Sequence, residues 1–239
     1  MACLREWFLS VKRTSRQVFD YNRAVKHFLS RELLAPNVWT FPVARDIVER
    51  FSDPAALPGK YSTVRPSQWL SDIKWISAAD EEAFDVFESA FDDLEIAARG
   101  EAYLDLDRKV RLYAGFLVVR SRCSEPEFHV DWLNANNEAF TCLTPVSANG
   151  GPFGLLYKRL TGEVGEYEYS LGEAIAFGDN FVHSTKPGRS DEPVVLLSFV
   201  YGTDKMEHWP KIYPTVGRQV THVRQPDGRF VRADANPSE

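Results

Sequence analysis

Between Lys109 and Gly202 the chain repeatedly alternates short runs of β-branched and aromatic residues with glycine-, proline- and asparagine-rich breaks. Runs of this length are too short for helices that must bury a face, and they suit strands. Eight fit: 112–120, 128–132, 140–146, 153–158, 167–170, 173–177, 181–185 and 194–201. The breaks Asn149-Gly150-Gly151-Pro152, Thr161-Gly162 and Gly178-Asp179-Asn180 have turn chemistry. Eight antiparallel strands in two sheets are what a jelly-roll or cupin-like barrel requires.

The chain before this region reads differently. Residues 15–33 place Val18, Tyr21, Ala24, Val25, Phe28 and Leu29 at spacings of three and four, which predicts a helix. A second helix is predicted over 78–98. Phe84, Phe87, Phe91 and Leu94 form its apolar stripe, and Glu81, Asp85, Glu88, Asp92 and Glu95 form a solvated outer face. A short helix over 42–51 would carry Pro42 in its first turn. Residues 52–77 read as irregular, anchored by Trp69 and Trp75. Past the barrel, 219–223 and 229–232 flank Pro226-Asp227-Gly228 as a hairpin, and 233–239 reads as a loose tail. The expected class is α+β, a barrel with an N-terminal helical layer. The 239 residues are expected to form a single domain, with a mostly helical support region (1–108), a barrel core (109–202) and a C-terminal extension (203–239).

Composition narrows the function. Hydrophobic residues make up 44% and aromatics 13%, enough for a sizeable core. The net charge of −6 argues against coating nucleic acid, which needs clustered Lys and Arg. Cys3, Cys123 and Cys142 make an odd count without paired spacing, so neither a disulfide scaffold nor a four-cysteine zinc site is expected. No apolar run approaches a membrane span and no cleavable leader is evident, so the expected location is the cytoplasm. No nucleophile elbow, phosphate loop or dinucleotide fingerprint is present.

His129-Val130-Asp131, with His183 further along, carries the chemistry. With 5 histidines and 34 acidic residues in 239, a bare His-x-Asp/Glu arises by chance about as often as not. Context gives it weight. On a strand, residues two apart share a face, so His129 and Asp131 would grip one ion while Phe128, Val130 and Trp132 point the other way. His183 would arrive from another strand. Two imidazoles and one carboxylate suit a divalent metal with open coordination positions, iron above all, although cupins hold zinc, manganese or nickel with similar sets.

The order of these features resembles the double-stranded β-helix core of the iron(II)/2-oxoglutarate-dependent dioxygenases. There a His-x-Asp on an early strand is followed by a Gly-Asp/Glu-x-x-x-Phe segment (here Gly172 to Phe177) and a distal His before the last hydrophobic strand. The resemblance covers roughly residues 109 to 202. It implies that His129, Asp131 and His183 hold Fe(2+), that 2-oxoglutarate and molecular oxygen are co-substrates, and that succinate and carbon dioxide are released. An aspartate at position 131 implies hydroxylation, since halogenating relatives commonly leave that ligand position vacant. The family usually places an Arg about ten residues past the distal His. Here that position is Pro193, followed by Val194, with no Arg between Ser190 and Thr203. Some relatives use a Lys on the fourth strand, which Lys158 matches; Arg189 and then Arg120 are the further candidates for the co-substrate carboxylate. A small-molecule substrate is expected, with no nucleic-acid or membrane partner. Two other readings stay open: a cupin-type metal enzyme without a 2-oxo acid, and a barrel that binds a ligand without catalysis.

Overall fold

The computed structural model describes residues 38–66, 72–147, 151–159 and 161–233. The expected helix over 15–33, the anchor Trp69 and the tail past 233 lie outside them. Elements are numbered along the described chain.

The principal sheet has seven strands, all antiparallel: β1 (Val38–Pro42), β2 (Tyr61–Val64), β3 (Lys74–Ala78), β4 (Arg111–Cys123), β5 (Ala139–Pro145), β8 (Glu173–Phe177) and β10 (Gly188–Gly202). Their order across the sheet is β1-β8-β5-β10-β4-β3-β2. A smaller sheet has the order β7-β6-β9, from β6 (Gly154–Lys158), β7 (Val164–Glu168) and β9 (His183–Thr185). β11 (His222–Arg224) and β12 (Phe230–Arg232) form the terminal hairpin that the Pro-Asp-Gly turn predicts.

The central strands are buried on both faces, and their residues sort by parity. Phe116 and Val118 of β4, Leu143 of β5, Ile175 and Phe177 of β8, and Leu196 and Val200 of β10 face the barrel interior. Leu117, Cys142, Ala174, Ala176, Leu197 and Phe199 belong to a second core on the outer face. That second core is covered by α1 (Arg45–Phe51), α2 (Glu81–Asp93) and α3 (Ile96–Gly100), through Ile47, Phe51, Phe84, Phe87, Phe91 and Ile96. The helical layer is therefore present, and the sheet it covers is longer than the sequence suggests. α2 starts at Asp80, whose carboxylate accepts from the Ala83 N–H at 3.0 Å, and Glu81 and Glu82 complement its dipole. Gly115 sets how closely α2 approaches β4: a Cβ there would stand 2.3 Å from Cβ of Phe87.

Three expectations change. The single helix over 78–98 is two helices, because Glu95 takes a left-handed conformation (φ 52°) that ends the first and opens the second. Residues 38–42, 61–64 and 74–78 are strands that widen the principal sheet. At four or five residues each they are too short to show a clear period. Residues 128–132 do not form a strand: they make one isolated bridge, His129 with His183. The flanking carbonyls are taken elsewhere, Glu127 by the His129 ring, Asp131 by Thr215 and Trp132 by the Asn180 N–H. Asn134, Asn136 and Asn137 then turn the chain with positive φ. One element was not anticipated, α4 (Trp209–Gln219), which begins with Pro210 in its first turn and carries Pro214 inside.

Candidate metal centre and its two chambers

The bridge between the 128–132 segment and β9 brings the three polar residues together. His129 and His183 exchange both backbone hydrogen bonds at 2.9 Å, and their ring centroids lie 4.5 Å apart. One donor atom from each of His129, Asp131 and His183 falls within 4.8 Å of the others. Oδ1 of Asp131 is 3.6 Å from Nε2 of His129 and 3.9 Å from Nε2 of His183.

Backbone carbonyls fix the two rings. Nδ1 of His129 lies 2.8 Å from the Glu127 carbonyl, and Nδ1 of His183 lies 3.0 Å from the Phe181 carbonyl. A carbonyl only accepts, so each Nδ1 carries a proton and each Nε2 is left facing Asp131. His183 is packed against Phe177 and stacked on Phe181 at 5.3 Å. Burial lowers its pKa below the ordinary imidazole value, Asp131 opposes this, and His129 adds to it. A neutral imidazole is the form that binds a metal.

The carboxylate is fixed as well. The Thr141 hydroxyl donates to Oδ2 of Asp131 at 2.8 Å and accepts from the Trp132 indole N–H at 3.1 Å. The Thr215 hydroxyl on α4 donates to the Asp131 carbonyl at 2.6 Å. Asp131 therefore presents Oδ1 while Oδ2 and the backbone are restrained, the arrangement expected around a metal ligand. Trp132 points away from the ligands and yet supports one of them through Thr141.

Two chambers reach this cluster. The inner one, about 70 Å³, lies between the sheets; His129, Asp131 and His183 line it together with Tyr169, Thr185 and Arg120. The outer one, about 160 Å³, is walled by Trp75, Val130 and the α4 residues Thr215, Arg218 and Gln219. The side chain of His129 is 34% exposed and that of His183 only 6%, so the cluster opens mainly on the His129 side.

Of the basic residues singled out from the sequence, only Arg120 faces inward. Leu155 and Tyr157 of β6 face the interior, which puts Lys158 on the outside, exposed, with Nζ 5.1 Å above the Phe128 ring. Arg189 is exposed at the start of β10, opposite Arg122. Arg120 shares the parity of Phe116 and Val118, is 8% exposed, and pairs across the ladder with Val194. No salt bridge to it occurs among the described residues. Burial pulls its pKa below the ordinary guanidinium value, opposed by Cys123, Tyr169 and Asp72, and an arginine stays charged under such shifts. Ser198, whose hydroxyl is buried without a partner, lines the same chamber. Arg218, Gln219 and Thr215 escaped the sequence reading because α4 itself did.

No protein-family model matches the sequence, and no curated protein matches it. Solved structures match in fold. The non-heme α-ketoglutarate-dependent epimerase SnoN from nogalamycin biosynthesis aligns over 77% of this chain and 83% of its own, with a TM-score of 0.55 and 12% identity. HygX from Streptomyces hygroscopicus, solved with nickel and 2-oxoglutarate bound, aligns over 80% of this chain and 87% of its own at 0.52 and 13%. A prolyl hydroxylase from Trichoplax adhaerens, in complex with a hypoxia inducible factor peptide, aligns over 80% and 94% at 0.52 and 13%.

Proposed function

We propose that a chain with the double-stranded β-helix fold of the 2-oxoglutarate oxygenases and a converged His129–Asp131–His183 cluster is itself an iron(II)- and 2-oxoglutarate-dependent oxygenase, hydroxylating a small molecule. The observation that carries this is a single cavity with two complementary ends. At one end lie two imidazole Nε2 atoms and a carboxylate oxygen, a donor set that fits a divalent metal with open positions. At the other lies a buried guanidinium that forms no salt bridge among the described residues, with Cys123 and Tyr169 beside it and Asp72 acting on it. A buried charge without a salt-bridge partner is costly, and a dianionic co-substrate spanning the chamber offsets that cost. SnoN is α-ketoglutarate-dependent and HygX was solved with 2-oxoglutarate bound, which supports the same co-substrate here.

The roles follow from these positions. His129, Asp131 and His183 hold the metal, and Thr141 and Thr215 keep Asp131 in place. Arg120 receives the far carboxylate of 2-oxoglutarate as a planar fork, with Ser198 and Tyr169 offering hydroxyls beside it. The family's usual arginine position falls at Pro193 and Val194, and Arg120 is the direct ladder neighbour of Val194. The cation thus reaches the same wall from the adjacent strand. With iron and a 2-oxo acid bound, the centre supplies oxidation of a substrate C–H bond coupled to decarboxylation of the 2-oxo acid. The protein's part is to orient both organic molecules and to keep water away from the reacting atoms.

Anaerobic reconstitution with iron and 2-oxoglutarate, followed by air, tests the proposal through succinate release. Succinate should form in the wild type and be lost in Asp131→Ala. A protein that binds metal yet forms no succinate would instead be a metal enzyme without a 2-oxo acid. One that binds no metal would be a non-catalytic barrel.

A further inference from the structure

The proposed co-substrate and metal occupy the inner chamber and its floor, which leaves the outer chamber unassigned. That chamber reaches the same His129 and Asp131, is the larger of the two, and is walled by a helix that follows the barrel in sequence. Besides the two metal-site residues, its wall among the described residues presents the polar Thr215, Arg218 and Gln219, with Trp75 and Val130 as the apolar members. Thr215 is already committed to Asp131.

Arg218 is held in place by its own helix. Its Nε donates to the Pro214 carbonyl at 2.6 Å, so the side chain lies back along α4. No salt bridge or further hydrogen bond engages its two terminal nitrogens among the described residues. A guanidinium fixed through Nε and free at both ends presents two parallel N–H donors, the geometry that matches a carboxylate. Gln219, the next residue, lines both chambers, and its Oε1 is buried without a hydrogen-bond partner among the described residues. A buried amide oxygen of this kind is normally completed by a donor, so a ligand hydroxyl or amine fits beside it.

We propose that the outer chamber binds the prime substrate, and that this substrate is a small free acid: its carboxylate is gripped by Arg218, and a hydroxyl or amino group near it donates to Gln219. The proposal rests on the oxygenase reading for the word substrate, while the binding itself does not. An acid fixed at Arg218 shares its chamber with His129 and Asp131. A chamber of about 160 Å³ admits a small molecule and excludes a folded partner.

Calorimetric titration of the protein loaded with manganese and the inert mimic N-oxalylglycine provides the test. The titrants are the standard L-amino acids and their 2-hydroxy acid counterparts, each beside its carboxamide and beside a tripeptide ending in the same residue. At least one acid should bind about tenfold or more tightly than its carboxamide, the usual worth of a charge-assisted fork. Arg218→Gln should bring the two to within about threefold, Arg218→Lys should recover part of the preference, and Lys211→Gln on the same helix should leave it unchanged. Gln219→Glu should weaken the acid and spare the carboxamide. The proposal fails if no acid in the panel binds, if acid and carboxamide bind alike, or if Arg218→Gln keeps the preference. A tripeptide binding as tightly as the free acid would overturn the small-molecule claim and favour a peptide C-terminus. Binding of 2-oxoglutarate to the manganese form is titrated separately; its failure would count against the oxygenase reading and leave the Arg218 result standing.

Discussion

Thr141 holds the carboxylate of Asp131 and is held by the indole of Trp132, so a hydroxyl that touches no ligand atom of either histidine still governs the metal site. Replacing it with valine keeps the volume and removes both hydrogen bonds. Thr141→Val should weaken metal affinity about 10- to 100-fold, as loss of an outer support to a metal ligand typically does. Manganese titration of the folded variant measures this, and an unchanged affinity would show that Asp131 needs no such support. Arg120 is the second informative residue. Arg120→Gln should raise the dissociation constant for 2-oxoglutarate by about tenfold or more, the effect of losing a charged hydrogen-bonding partner, with metal affinity preserved. Lys158→Gln and Arg189→Gln, whose side chains lie outside the chamber, should leave 2-oxoglutarate binding as it is. The three members of the metal cluster were legible in the sequence because histidine is scarce and because the segments around them, more than the bare His-x-Asp spacing, gave the pattern weight. Arg120 was less so. Its phase with Phe116 and Val118 was available, but a cation at the end of an apolar strand reads equally well as a surface charge.

At the scale of elements, α2 and β4 show how one missing side chain sets a layer spacing. The β4 backbone at Gly115 lies against Phe87, closer than any Cβ tolerates. Gly115→Ala should therefore destabilise the fold by about 1–3 kcal/mol, the range for overpacking a buried contact. A thermal melt reads this as a clear fall in Tm, and an unchanged Tm would mean that α2 moves away without cost. The central strands β4, β5, β8 and the second half of β10 were visible because they are buried on both faces and rich in apolar residues. β1, β2 and β3 were not: they owe their conformation to pairing, β1 with β8, β3 with β4 and β2 with β3, which a local reading does not see. α4 was concealed by Pro210 and Pro214, although Trp209, Ile212 and Val216 have helical spacing and are all buried. Proline at the first turn costs a helix nothing, so the first of those residues was the weaker argument against one. The segment carrying His129 and Asp131 erred in the other direction. Its composition suits a strand, but its carbonyls are engaged by side chains and by a loop amide.

For the molecule as a whole, several carboxylates tie distant segments together and make the fold sensitive to acid. Asp204 accepts from the backbone N–H groups of Asp107, Arg108 and Lys109, and Asp72 accepts from those of Ser121 and Arg122. Burial acts to raise both pKa values, and the hydrogen bonds outweigh it and leave both lowered. A carboxylate with a lowered folded pKa contributes stability above its unfolded pKa and loses that contribution as pH falls through the folded value. Asp204→Asn should accordingly cost about 1–2 kcal/mol at neutral pH after allowance for solvent screening. The gap between variant and wild type in urea melts should narrow as the solution is acidified below the ordinary aspartate range. A gap that is constant with pH would place the effect in packing instead of charge. No helix among the described residues is long and apolar enough to cross a membrane.

Val194 and Arg120 stand opposite each other on neighbouring strands, seventy-four positions apart along the chain. A template that counts forward from the second histidine arrives at a hydrophobic residue and records no cation there. One that steps sideways, rung by rung, reaches the buried guanidinium of Arg120. Under the role proposed for Arg120, a charge can pass from one stave of the barrel to the next without moving far in space, and a score kept by linear distance overlooks it.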